Sequence, residues 1–291
     1  MAAENLRVPD FIIIGAMKSA TSTLHLQLSR QPNFHMSTPK EPCFFSDDAV
    51  YSNGISWYFD LFSEASKNHL CGESSTHYTK LPSYPDTVQR MRANVPNCKL
   101  IYVMRHPIDR LISQYVHHWT ENATSRSLEE TLKIDQTLIS YSKYAMQLRP
   151  YLETFGRENI LPVFFDRLRV HPQLELERIC RFLGSTTAPV WDFDIDSQNV
   201  GASRMRDSRW RSALVYAPII SSIRQYLPHR VRDWVKTFWQ MRKTPELSDQ
   251  ESAALQEVFD SDLAILGSWL GVNLTCENFR SSTIDQALEW T

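Results

Sequence analysis

The apolar run Phe11-Ile12-Ile13-Ile14 passes without a break into Gly15-Ala16-Met17-Lys18-Ser19-Ala20-Thr21-Ser22-Thr23, and helical spacing begins directly afterwards. A short, uniformly apolar run bounded by glycine reads as a strand buried on both faces. The helix expected over residues 21–30 opens with free N–H groups and the positive end of its dipole beside Lys18 and the hydroxyls of Thr21, Ser22 and Thr23, which suits a phosphate. A buried strand that feeds a helix in this way commits the chain to parallel pairing through right-handed crossovers. A plain N-capped helix after a strand is the alternative for this segment taken alone.

The same pattern recurs. Leu100–Met104 precedes a helix that Pro107 opens and that runs to about Trp119, and Ile160–Phe165 precedes one over His171–Leu183. A shorter strand is expected at His69–Glu73. Residues 127–155 read as two helices and residues 209–243 as an amphipathic pair broken at Pro228, while Ser248 and Glu251 form a capping-box start to a last helix ending near Gly267. With no convincing linker, the expectation is an α/β fold in a single domain over residues 1–291. It has a central parallel sheet flanked by helices and a P-loop-like strand-loop-helix; the core spans about 10–205 and a C-terminal helical part about 206–275.

Composition narrows the function. Hydrophobic residues at 42% and charged residues at 22% describe a globular chain, and its 291 residues allow a sizeable core without disulfide or metal staples. The longest apolar run near the start, Phe11 to Gly15, is far short of the roughly 20 residues of a membrane span. Five widely spaced cysteines without a CxxC pair read as reduced thiols, so a cytoplasmic setting is expected; sequons at Asn122 and Asn273 would matter only on a secretory route. Net charge is −2, yet residues 204–243 carry ten Lys/Arg against Asp207 and Asp233, a local +8. The remaining 21 basic and 31 acidic residues leave the rest at −10. The amphipathic part of this basic stretch, residues 209–243, is expected to fold over one side of the ligand cleft, facing an anionic ligand or resting peripherally on an anionic membrane; a solvated helical face is the alternative. Nucleic acid is not an expected partner.

The phosphate segment departs from the nucleoside-triphosphate loop GxxxxGK[ST]: Ala20 stands at the second glycine, Thr21 follows it, and Lys18 comes too early. It resembles instead the 5′-phosphosulfate loop of sulfotransferases, a strand followed by KxGT[TS]. Ile101 to Tyr115 resembles that family's 3′-phosphate segment, with Arg105 at a strand end and Ser113 eight residues later. Pro39–Phe45 (PKEPCFF), Gly54–Phe62 (GISWYFDLF) and Asp166–Pro172 (DRLRVHP) are similar to segments of its carbohydrate (heparan-type) and bacterial branch. The resemblance covers roughly residues 10–205.

The resemblance implies a P-loop-like enzyme that uses 3′-phosphoadenosine 5′-phosphosulfate (PAPS) as co-substrate. Lys18 and Glu41 would be the catalytic residues, Lys18 steadying charge on the bridging oxygen and Glu41 acting as general base. Lys18, Ser19, Ala20, Thr21, Ser22 and Thr23 would hold the 5′ side, Arg105 and Ser113 the 3′-phosphate, and Gly201, Ser203 and Arg204 of a late loop would close over the nucleotide. Flanked by Pro42, Phe44 and Phe45, Glu41 is expected to have a raised pKa, though a structural ion pair with Lys40, Lys18 or Arg105 is the alternative. Ala20 stands where the family has glycine and is expected to keep φ negative. Ser74 stands where some glycan-sulfating relatives carry Lys, leaving a second cation to Arg204 or to none. His77, His117 and His118 read as packing or surface residues, and no metal site is expected. The expected acceptor is a hydroxyl of a sugar or glycoconjugate, with a lipid or secondary metabolite, or a non-catalytic nucleotide-binding role, as alternatives.

Overall fold

Alternation along each strand sorts the buried residues into two apolar layers. Ile12, Ile14, Leu100, Tyr102 and Met104 belong to one layer, and Phe11, Ile13, Ile101, Val103 and Val163 to the other. A computed structural model of the chain describes residues 7–195 and 245–291. Among them five strands form one sheet: β1 (Phe11–Gly15), β2 (Phe34–Met36), β3 (Leu70–Ser74), β4 (Lys99–Met104) and β5 (Ile160–Phe164). Their order is β2-β3-β1-β4-β5 and every pairing is parallel. All residues of β1 and β5 are buried, which explains why neither shows a polar alternation.

Helices cover both faces. Leu24 and Leu28 of the helix Thr21–Ser29 pack with Leu176, Ile179 and Leu183 of the helix Pro172–Leu183 on one side. Leu148 and Tyr151 of Tyr144–Phe155 pack with Leu255, Phe259 and Leu263 of Asp249–Leu270 on the other. From β1 the chain runs outward to β2, returns to β3 beside β1, then crosses to β4 on the far side of β1. Strand order therefore reverses at β1, and the crevice beyond the carboxyl ends of β1, β3 and β4 is where such sheets place their ligands.

Three expectations need correction. β2 is an extra edge strand, three residues long with His35 in the middle, too short to show any period. Residues 127–155 hold three helical pieces, Leu128–Ile134, Thr137–Ser140 and Tyr144–Phe155, because the Asp135 carboxylate accepts from the Thr137 amide and starts a new turn. The last helix has the expected capping box at Ser248 but continues past Gly267 to Leu270. Gly267 is there for close packing, since a Cβ would sit 2.4 Å from the Val272 carbonyl oxygen; Gly271, at φ +68, makes the stop. The basic pair 209–243 and the late-loop residues Gly201, Ser203 and Arg204 lie outside the described residues.

Candidate active site

The loop after β1 is tied to both neighbouring strands. The Ser75 amide donates to Ile13 O at 3.1 Å, the Ala16 amide to Val103 O at 2.8 Å, and Thr79 Oγ1 to Ile14 O at 2.7 Å. Only glycine fits at position 15, where a Cβ would stand 2.0 Å from Thr79 Oγ1. The Ser19 amide then turns back to Ala16 O at 3.2 Å, and the first helical bond is Leu24 N to Ala20 O. Between them the amides of Ala20, Thr21, Ser22 and Thr23 donate to no carbonyl among the described residues.

The tight return at Ser19 overturns the expectation for Ala20. Lys18 and Ala20, on either side of it, both take left-handed backbone, at φ +69 and +66. For a residue with a Cβ this costs roughly 1–2 kcal/mol each, so the loop accepts strain that glycine would avoid. The result is a cup lined by amides, the Lys18 side chain and the buried Ser19 Oγ, which has no hydrogen-bond partner among the described residues. Thr21 is buried, Thr23 half-buried and Ser22 exposed.

Arg105 leaves the end of β4 and donates from Nη1 to the Lys18 carbonyl at 3.2 Å, so the strand β4 cation and the β1 loop form one unit. Its guanidinium lies 4.7 Å from the Phe165 ring centroid, and its buried Nε has no partner among the described residues. Burial lowers the Arg105 pKa, with Asp109 opposing. Ser113 sits on the helix Pro107–Thr120 between Asp109 and His117, four residues from each and so on the same face. Arg105 feels the charge of Asp109, and His117 that of Lys18, so this face is turned to the loop. An orphaned Ser19 hydroxyl, free amides and an incompletely paired guanidinium fit a ligand carrying phosphate at two points.

Lys18 is half-buried; burial and then Arg105 lower its pKa, while Glu121 and Glu41 hold it up. Glu41 belongs to the loop after β2, at φ +57, with its amide on Ser74 O at 3.1 Å. Its carboxylate pairs with Lys40 and accepts from Thr76 Oγ1 at 3.2 Å. The expected raised pKa is corrected: burial does push the Glu41 carboxyl up, but Lys40, Thr76 and Lys80 together hold it below its ordinary value. Phe44 and Phe45 are fully buried against Tyr58, at 4.8 and 4.9 Å between ring centroids.

The site also holds His25 and Glu121, which the sequence reading did not single out. Ser74 is buried and its Oγ lies 2.7 Å from His25 Nδ1; burial, then Lys40, lower the His25 pKa to about 4, so this pair brings no cation at neutral pH. His117 lies 3.3 Å from Glu121, a spacing of four along the helix that could have flagged them. His118 faces Asp135 at 3.7 Å, and His77 stacks on Tyr84. Lys80 is a buried residue whose charge acts on Glu41, and the fully buried Arg110 acts in turn on Lys80.

Beneath Glu41 lies a fully buried carboxylate. Glu73 accepts from Ser75 Oγ at 2.7 Å, Tyr78 Oη at 2.7 Å and Tyr58 Oη at 2.9 Å, and Ser75 Oγ in turn accepts from the Cys43 amide at 3.0 Å. Burial nevertheless pushes the Glu73 carboxyl up from 4.5 to about 7, against those three donors and with Glu41 adding to the rise. The folded state thus holds a proton that the unfolded chain releases, a stabilising contribution present below pH 4.5 and lost as pH rises through about 7. Glu73→Gln is expected to flatten this part of the stability curve and to melt higher than the wild type at pH 8. Thermal melts of both proteins from pH 4.5 to 8 measure it; parallel curves would show that Glu73 is ionised throughout.

A family profile described as the sulfotransferase domain matches residues 8–190. The chain belongs to the sulfotransferase family. It is 34% identical over 129 residues to the membrane-associated sulfotransferase kil1 of Dictyostelium discoideum, covering 43% of this chain and 26% of that protein. It is 30% identical over 191 residues to heparan sulfate glucosamine 3-O-sulfotransferase 3B1 of Mus musculus, covering 62% and 47%. The matches thus span between a quarter and about half of these curated relatives' lengths. A solved sulfotransferase from Alicyclobacillus acidocaldarius shares the fold at a TM-score of 0.67 and 23% identity, over 92% of this chain and 98% of that one.

Proposed function

We propose that the protein transfers the sulfuryl group of PAPS to a hydroxyl of a sugar or glycoconjugate, releasing adenosine 3′,5′-bisphosphate. The observation that carries this reading is the bond from Arg105 Nη1 to the Lys18 carbonyl, which joins a cation suited to the 3′-phosphate to the loop suited to the 5′-phosphosulfate. PAPS supplies an activated sulfuryl group whose leaving group is already a phosphate. The amides of residues 20–23 and Ser19 Oγ hold the 5′ oxygens, and Arg105 and Ser113 hold the 3′-phosphate. Lys18 neutralises charge growing on the bridging oxygen. Glu41, ionised at neutral pH, takes the acceptor proton. This division of labour assigns no step to a metal.

Sugar acceptors are favoured by the likeness to an enzyme named for heparan sulfate glucosamine. Incubation with labelled PAPS and a panel of glycans, lipids and phenols, with and without EDTA, tests the proposal by mass spectrometry. Label on a glycan at a chelator-independent rate is expected. Label confined to lipids or phenols would overturn the acceptor class, and a chelator-sensitive rate the metal-free route.

A further inference from the structure

The Glu41 carboxylate is carried on backbone that ordinary residues avoid. Glu41 and Cys43 both stand in the left-handed region, at φ +57 and +53. For residues with a Cβ such backbone persists only where the surroundings over-determine it. Here a row of amides pins the loop after β2 to the end of β3 and the turn beyond it. Ser37 donates to Gly72 O at 2.9 Å, Glu41 to Ser74 O at 3.1 Å, Cys43 to Ser75 Oγ at 3.0 Å and Phe45 to Tyr78 Oη at 3.5 Å. The first two bonds end on strand carbonyls, which every residue type supplies. The last two end on hydroxyls, which only particular side chains supply.

A buried hydroxyl that receives an amide must also place its own proton, and Glu73 takes both of these protons. Ser75 Oγ donates to Glu73 Oε2 and Tyr78 Oη to Glu73 Oε1, each at 2.7 Å, and all three side chains are buried. The carboxylate thereby sets the direction of the two hydroxyls, with their lone pairs turned to the loop. Ser75 has a further tie, since its amide donates to Ile13 O at 3.1 Å, in β1 just ahead of the phosphate loop. One residue thus holds β1 by its backbone and the Glu41 loop by its side chain. Its neighbour Thr76 donates directly to Glu41 Oε2 at 3.2 Å.

We propose that Ser75, oriented by Glu73, is a positioning residue: its hydroxyl fixes the Cys43 amide, and with it the left-handed turn that holds the Glu41 carboxylate in place relative to the β1 loop. The proposal rests on the sulfotransferase reading, in which the acceptor hydroxyl meets both the Lys18 loop and Glu41. The acceptor oxygen forms the new bond to sulfur as the bond from sulfur to the bridging oxygen breaks; that electron pair stays on the phosphate, and the hydroxyl proton goes to Glu41. A base misplaced by about 1 Å costs such a step on the order of a hundredfold. The Ser75 anchor therefore acts on rate and not on the binding of either substrate.

Ser75→Ala is expected to lower kcat about ten- to a hundredfold, while KM for both substrates and affinity for adenosine 3′,5′-bisphosphate stay as in the wild type. In a Glu41→Gln background the same change should cost almost nothing, because the group it positions is already lost. Glu73→Gln is the second variant: its carbonyl keeps Tyr58 and Tyr78, but its N–H faces Ser75 Oγ, and the same loss of rate is expected at pH 8. Carbon NMR of the Glu41 carboxyl, assigned by its absence in Glu41→Gln, reads the position without turnover. Its pKa, held below the ordinary value by Lys40, Thr76 and Lys80, should rise in Ser75→Ala as the carboxylate draws away from Thr76 and Lys80. A rate loss as large in the Glu41→Gln background as in the wild type, or an unchanged Glu41 pKa in Ser75→Ala, would overturn the positioning role. Absence of sulfuryl transfer in a wild type whose Glu41 pKa still depends on Ser75 would overturn the function and leave the positioning role standing.

Discussion

Glu41→Gln is expected to lower turnover by about 10²- to 10⁴-fold, the range of a lost general base, while adenosine 3′,5′-bisphosphate binds as before. The amide keeps the shape of the carboxylate and an acceptor for Thr76 Oγ1, but it cannot take a proton. The surroundings make Glu41 a base that is ready rather than strong: Lys40, Thr76 and Lys80 outweigh burial and keep the carboxyl below its ordinary range. Proton uptake by Glu41 therefore needs the acceptor's pKa to fall during transfer, which bond formation to sulfur provides. Initial rates and calorimetry on the same preparation decide the matter. A variant with near-native rate would reduce Glu41 to the structural partner of Lys40.

Lys18→Met should cost about 10²- to 10³-fold in kcat, the loss seen when a donor to a developing oxyanion is removed. The side chain is half-buried at a left-handed backbone position and its ammonium makes no hydrogen bond or ion pair among the described residues, so it is free to meet the bridging oxygen. Charge on that oxygen grows only as the bond to sulfur breaks, and the interaction should strengthen toward the transition state. Affinity for the bisphosphate is accordingly expected to fall by less than kcat. Equal losses in affinity and rate, read by titration and single-turnover kinetics, would assign Lys18 to ground-state binding alone.

Local chemistry was legible in the chain, and long-range chemistry was not. Phe11–Ile14, Leu100–Met104 and Ile160–Phe165 announced buried parallel strands because burial on both faces leaves no polar position, whereas β2, with His35 at its centre, offered no pattern to read. Lys18 and Arg105 stood out by their places after strands, and the fold brings them to one hydrogen bond across 87 residues. Ala20 misled because its backbone is set by the return of the Ser19 amide to Ala16, a constraint that no residue type displays. Glu41 misled because the aromatic residues after it suggested desolvation, whereas the adjacent Lys40 lowers its carboxyl most, helped by Thr76 and Lys80, which only the fold brings near. Lys80 and Arg110 went unmarked for the same reason, since their burial appears only when β3, the helix Pro107–Thr120 and Tyr141 are brought together.

The joined seat for two phosphates is the centre of this account, and the ratio of affinities for adenosine 3′,5′-bisphosphate and adenosine 5′-monophosphate tests it most directly. A charge-assisted bond to the 3′-phosphate contributes about 1.5–3 kcal/mol, so the bisphosphate should bind roughly ten- to a hundredfold more tightly. Because Arg105 also braces the Lys18 carbonyl, Arg105→Ala is expected to weaken both ligands, yet to bring their ratio close to one. Equal affinities in the wild type, or a ratio that survives Arg105→Ala, would contradict the assignment of the 3′-phosphate to this end of β4.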